Sequence, residues 1–231
     1  MDERRLDPEF SERMEAFLQE VRSEPSQELP ARTRSLAVLA ALLGCQGLDE
    51  FSDELGRALD DGLTPVMVKE IVYQAVDYLG MGRVRPFLDK TNELLSARGV
   101  ALPLAGQATT TMSDRLEKGA QAQADIFGPQ MLEAWKAGHI NRWLAANCFG
   151  DYYTRKGLDD AQRELVTFCL ILAQGGCENQ LRGHTAGNIG AGNDADKLYA
   201  AVEQCMPYIG YPRSLNAMNI IDEVAGRLAQ Q

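Results

Sequence analysis

The chain has 231 residues, of which 45% are hydrophobic, enough for one large domain or two small ones with a real core. Its 33 acidic against 23 basic residues give a formal net charge of -10, which repels polyanions and argues against a nucleic-acid partner. The start MDERRLDPEF is charged where a secretory signal is apolar, and no stretch approaches the roughly 20 apolar residues of a membrane span. A cytoplasmic protein with no membrane partner is the expectation. Five cysteines, at 45, 148, 169, 177 and 205, form no CxxC pair, so neither a disulfide scaffold nor a structural zinc site is indicated. No HExxH or paired-carboxylate pattern accompanies either histidine, and no metal or other cofactor is expected.

In chain order, a period near 3.6 with few β-branched clusters predicts an all-α fold. Helices are expected at about 10 to 22, 34 to 43 and 50 to 61. In LTPVMVKEIVYQAVDYL, Thr64 supplies a cap, Pro65 suits the first turn, and Val68, Ile71, Val72, Ala75, Val76 and Leu79 form an apolar stripe ending before GMG. A helix at about 84 to 97 follows. GVALPLAGQATTTMS, residues 99 to 113, has no clear period and reads as a linker. Further helices are expected at about 113 to 125 and 130 to 149, then from LDDAQREL to the Gly175-Gly176 break, capped by Asp159 or Asp160. The last three are placed at about 178 to 189, 195 to 206 and 214 to 228. GLDEFSDELG and GAGNDAD read as helix breaks; with no strand before them, they are not phosphate or dinucleotide loops.

Two parts of the chain answer each other. With Gly62 placed on Gly192, Tyr78 meets Tyr208, Gly80 meets Gly210 and Arg83 meets Arg213; upstream, TRSLAVLAALLGCQG answers QRELVTFCLILAQGG after a one-residue offset. A duplicated helical unit follows, with 1 to 98 as an N-terminal extension and degenerate first copy, 99 to 112 as linker, and 113 to 231 as second copy. The copies differ chemically: Glu164 has Ser35 opposite it, and His184 has Glu54.

The second copy carries the candidate site. On a helix, Cys177, Gln180, Leu181 and His184 share a face, and the Gly175-Gly176 turn lets Glu164 on the preceding helix pack beside it. A carboxylate there orients or charges the imidazole, and a thiol at a helix N-terminus is favoured as thiolate, so proton transfer and thiolate attack are both open. Arg163 and Arg182 flank the site as counter-charges for an acid, although Arg182, two positions from His184, points elsewhere, toward a subunit contact. Arg213 in GYPRSLNA and the hydroxyl of Tyr208 are alternative anchors. In NRWLAANCFGDYYTRKGL most aromatics read as packing, with Tyr153 or Arg155 closing one side of a pocket. The other four cysteines read as packing and His139 as a helix cap or a structural hydrogen-bonding residue.

At these residues the chain resembles the carboxymuconolactone decarboxylase and AhpD-like superfamily. The traces are LDDAQRELVTFCLILAQGGCENQLRGH, AGNIGAG and YIGYPRSLNAMNII, preceded by DYYTRKGL. The resemblance covers about 113 to 228 well and about 30 to 98 as a degenerate copy. It implies a duplicated AhpD-like all-helical unit assembling into a homo-oligomer, a trimer or hexamer. In the redox branch a glutamate, a CxxC pair and a histidine form a thiol peroxidase site; Glu164, Cys177 and His184 match three positions, with one extra residue between Glu164 and Cys177, but Gln180 stands where the second cysteine belongs. QLRGH and GYPRSLNA look closer to the decarboxylase branch. That branch implies a lyase or isomerase-type enzyme on a small carboxylated molecule or lactone, with His184 as acid/base, Glu164 tuning it, Cys177 lining the pocket, and Arg213, Arg182, Tyr208 and Gln180 as weaker choices for holding substrate. A single-cysteine peroxidase and a non-catalytic helical oligomer are the alternatives.

Overall fold

A computed structural model describes residues 6 to 24 and 29 to 230, and among them there are helices and no strands. The charged residues 1 to 5 of the opening stretch lie outside the described part. The helices are α1 (Pro8–Ser23), α2 (Ala31–Cys45), α3 (Leu48–Asp60), α4 (Pro65–Leu79), α5 (Met81–Ala97), α6 (Arg115–Phe127), α7 (His139–Trp143), α8 (Asp160–Gln174), α9 (Glu178–Gly190), α10 (Ala195–Ile209) and α11 (Tyr211–Leu228). Among the described residues no helix is long and apolar enough to cross a membrane.

Local chemistry explains the boundaries. Thr64 Oγ1 accepts from Met67 N and Pro65 opens α4, while Asp159 and Gln162 form a reciprocal capping box at α8. Gly80, Gly175 and Gly210 end α4, α8 and α10 at φ of 79°, 73° and 79°, a backbone region that side chains with a Cβ disfavour. GLDEFSDELG is not a break: after Gly47 it lies inside α3, whose buried Phe51 and Leu55 outweigh the cost of Gly56.

The expected single helix over 130 to 149 is replaced by a 3-10 segment (Pro129–Ala137), the short α7 and a π-helical segment (Leu144–Tyr153). Backbone packing selects this form. A Cβ on Gly119 of α6 would lie 1.8 Å from Ala145 O, and one on Gly150 would lie 2.1 Å from Arg115 O. Two glycines thus let α6 and the π-helical segment touch through their main chains, a constraint that apolar periodicity does not register.

The duplication is visible in the elements. α2 to α5 begin at 31, 48, 65 and 81, and α8 to α11 begin at 160, 178, 195 and 211. The first offset is one residue smaller because Gly175, Gly176 and Cys177 join α8 to α9, whereas only Gln46 and Gly47 join α2 to α3. The two lead helices are the centre of the molecule. Residues 35 to 44 of α2 and 163 to 173 of α8 are buried without interruption, as expected of helices apolar on every side. They pack on each other so closely that a Cβ on Gly44 would meet Leu170 O at 2.5 Å. Each fully buried Leu, Ile or Val along this contact contributes roughly 1.5–3 kcal/mol, so neither unit exposes its apolar face.

Candidate active site

Within the apolar α8, Glu164 has no solvent exposure and His184 on α9 retains 8%. A carboxylate taken out of water is strongly penalised unless its oxygens are bonded, and both are: Tyr153 Oη donates to Oε1 at 2.9 Å, and His184 Nδ1 lies 2.9 Å from Oε2. With Glu164 ionised, Nδ1 carries the proton and Nε2 is the nitrogen left for chemistry. Gly187 makes the approach possible, since a Cβ there would sit 2.4 Å from Glu164 Oε2. Asn188 Nδ2 fastens the two helices by donating to Glu164 O at 2.9 Å and His184 O at 2.7 Å.

The surroundings come from both units. Tyr78 of α4 and Phe127 of α6 set their rings edge-on to the imidazole, with centroids 5.7 and 5.3 Å away. Tyr78 Oη lies 3.0 Å from Tyr153 Oη, and burial pushes both phenols well above their ordinary range, so each remains a hydrogen-bond donor. Thr167 Oγ1 meets Tyr153 Oη at 2.6 Å and accepts from Gln74 Nε2 at 2.8 Å; Gln74 Oε1 accepts from Arg163 at 2.9 Å. A continuous polar chain therefore runs from His184 through Glu164, Tyr153, Thr167 and Gln74 to Arg163. Beside it, the Cys148 thiol lies 3.8 Å from Tyr78 Oη, and burial, with the Asp77 carboxylate as the next cause, pushes its pKa well up. Asp77 is itself raised to about 8 by burial and by nearby Asp151, and its buried Oδ2 has no hydrogen-bond partner among the described residues.

Of the residues read from sequence, Glu164, His184 and Tyr153 come together and the others do not join them directly. Cys177 stands at the N-terminal boundary of α9, half-buried and without a capping bond from its side chain, and its Sγ accepts from Gln174 Nε2 at 3.2 Å. Seven residues of helix put it about 10 Å along the axis from His184. Gln180 is exposed, and Arg182 pairs with Glu223 on α11 at 2.9 Å. Tyr208 donates to Glu54 at 2.7 Å, and Arg213 lines a cleft with Cys45 and α1. Arg163 is fully buried against Glu70 and Gln74 instead of presenting its charge beside the imidazole, and Arg155 forks onto Glu70. His139 is exposed and lies 6.0 Å, ring to ring, from Trp143.

Tyr78, Gln74 and Phe127 escape the sequence reading because they lie on other elements, Gly187 because it contributes by shape, and Thr167, one turn from Glu164 in an otherwise apolar run, because its partners come from elsewhere. The one available signal is the repeat register, in which Tyr78 answers Tyr208. The structure explains that pairing: each tyrosine crosses to the other unit's site, Tyr78 beside His184 and Tyr208 onto Glu54. The first unit's version is closed. Arg22 of α1 bonds Glu54 at 2.8 Å and Tyr208 at 3.3 Å, Ser35 donates to Asp61 at 2.6 Å, and about 10 Å³ of space remains, room for one water at most.

A repeated all-helical unit, with a buried glutamate–histidine pair in its second copy alone, defines a duplicated AhpD-like protein. The chain belongs to the carboxymuconolactone decarboxylase family, whose sequence profile matches residues 8–93 and 139–223. The matches take in α1 and the His139–Tyr153 segment, the elements that bring Arg22 and Tyr153 to their respective sites. Among characterised relatives, it is similar to the 4-carboxymuconolactone decarboxylase of Acinetobacter baylyi (strain ATCC 33305 / BD413 / ADP1), 27% identical over 124 residues that cover 48% of this chain and 86% of the relative. No cluster of three or more metal-ligating side chains occurs among the described residues.

Proposed function

We propose that the chain is a lyase or isomerase-type enzyme acting on a small carboxylated molecule or lactone, with His184 as its acid/base and Glu164 as the residue that holds and charges it. The observation that carries this reading is the fully buried Glu164, bonded on one oxygen by Tyr153 and on the other by His184 Nδ1, which leaves Nε2 to exchange a proton. In a decarboxylation the bond from carbon to the carboxylate breaks, its electron pair enters the conjugated carbonyl system, and carbon dioxide leaves. Nε2, protonated beforehand from solvent while Glu164 offsets the imidazolium charge at Nδ1, then gives that proton to the carbon and the ring ends neutral. The similarity to a 4-carboxymuconolactone decarboxylase supports a lactone acid as the first substrate to try. Exposed Leu132, Ile140, Trp143 and Leu144, close in sequence, support a homo-oligomer that covers them.

A thiol peroxidase using Cys177 is the second reading, favoured by the thiol's half-buried position at the N-terminus of α9 and its bond from Gln174. Turnover of 4-carboxymuconolactone, followed by loss of its absorbance and release of carbon dioxide, separates the two. His184→Gln is expected to lower kcat by about 10²–10⁴-fold, Glu164→Gln to lower it less, and Cys177→Ser to leave it within about twofold. Hydroperoxide reduction with an external dithiol that vanishes in Cys177→Ser overturns the acid/base reading. Wild-type protein that turns over neither kind of substrate points to a binding or structural role.

A further inference from the structure

A second cleft, away from the residues assigned to catalysis, has the wrong charge for an acidic protein. It lies between α4, α5 and residues 102 to 107, has a volume of about 440 Å³, and is lined by Lys69, Glu70, Tyr73, Asn92 and Arg155 together with apolar Val66, Leu102 and Leu104. Lys69 is only 7% exposed. Its ammonium donates to Asn92 Oδ1 and lies 5.6 Å from the Tyr73 ring centroid, with the Arg155 guanidinium 5.3 Å from the same centroid. No carboxylate pairs with Lys69 among the described residues, and burial lowers its pKa. Glu70 is the carboxylate in the lining, and it is already held by both Arg155 and Arg163. Two cations, Lys69 and Arg155, therefore line the cleft against one carboxylate that the fully buried Arg163 also holds from behind, in a chain whose net charge is -10.

The molecule contains its own comparison. In the repeat register Lys69 answers Tyr199 and Asn92 answers Asp222, and in the second unit Tyr199 Oη donates to Asp222 Oδ1. The first unit has an ammonium where the second has a phenol, and a neutral amide where the second has a carboxylate. Both changes move the charge in one direction. A buried ammonium with only an amide and a ring face for company is costly unless an anion joins it. The volume is in the range of small-molecule sites and exceeds what an inorganic ion fills, and the apolar walls suit a carbon skeleton.

We propose that this cleft binds a small organic carboxylate, with its carboxylate group received by Lys69 and Arg155 and its apolar body against Val66, Leu102 and Leu104. The proposal does not depend on the chemistry at His184, because its test reads binding and not turnover. Benzoate, succinate and inorganic phosphate are titrated into the full chain at constant ionic strength, by calorimetry and by the shift in Tm, with chloride as the balancing anion. At least one carboxylate is expected to bind saturably and raise Tm. Lys69→Met is expected to weaken it tenfold or more, and Asn92→Asp, which gives Lys69 the carboxylate partner found in the second unit, to weaken it similarly without lowering Tm. Lys90→Met, at a lysine paired with exposed Glu93, serves as control and is expected to bind as wild type. Should Lys69→Met fail to fold, Asn92→Asp decides alone. Wild-type affinity in Asn92→Asp, absence of saturable binding by both carboxylates, or tighter binding of phosphate than of either one overturns the proposal.

Discussion

At the scale of single residues, the His184 site is held as much by what is missing as by what is present. Gly187 has no Cβ, and this lets Glu164 Oε2 come against α9; in Gly187→Ala the new methyl group would start 2.4 Å from that oxygen. The carboxylate is fully buried and bonded on both oxygens, so the substitution is expected to cost about 1–3 kcal/mol in denaturant unfolding and to lower any His184-dependent turnover in parallel. Asp77 offers a different test. Its carboxyl, ordinarily near 3.8, is raised to about 8, first by burial and then by Asp151. A raised carboxyl means the folded state holds the proton more tightly than the unfolded one, so its contribution is fully present below about 4 and is lost as pH rises toward about 8. Asp77→Asn removes that dependence: Tm is expected to rise relative to wild type at pH 8 and to differ little at pH 4. An equal Tm difference at both values contradicts the assignment.

At the scale of elements, most helices are legible because an apolar stripe and its punctuation coincide, as in Thr64-Pro65 at the start of α4 and the glycine at its end. The region from Pro129 to Tyr153 is not, because its form is decided by α6, which lies across it. Gly119 and Gly150 look like ordinary helix weakeners in sequence, yet each meets a carbonyl of the facing segment at a distance that excludes any side chain. Gly119→Ala is therefore expected to destabilise the protein by about 3 kcal/mol or more. Gly226→Ala, in α11 with no atom of the described residues within 4 Å of the new methyl, is expected to stabilise it by about 0.5–1 kcal/mol. The same alanine substitution in two helices with opposite signs, read by thermal unfolding, separates packing from propensity. For the site, Glu164 and His184 were legible because the Gly175-Gly176 turn folds one helix onto the next. Tyr78 and Phe127 were not, because their approach depends on how whole units dock.

At the scale of the molecule, duplication divides the labour. α2 and α8 bury each other, and each unit lends a tyrosine to the other's site, but only the second copy keeps a histidine there; Arg22 fills the first. The register that reveals the repeat also places Glu54 opposite His184, so the missing histidine of the first copy is legible in the sequence, while the closure of that copy's site by Arg22 depends on how α1 docks. The site is thus a product of both units, with Glu164 and His184 from the second and Tyr78 and Gln74 from the first. With two histidines in the chain, ¹⁵N NMR of histidine-labelled protein resolves each ring. In the neutral state His184 is predicted to be the Nδ1–H tautomer with a bare Nε2, distinct from exposed His139 and altered by Glu164→Gln. An Nε2–H tautomer at His184, or a ring indifferent to Glu164→Gln, would contradict an acid/base site organised by Glu164.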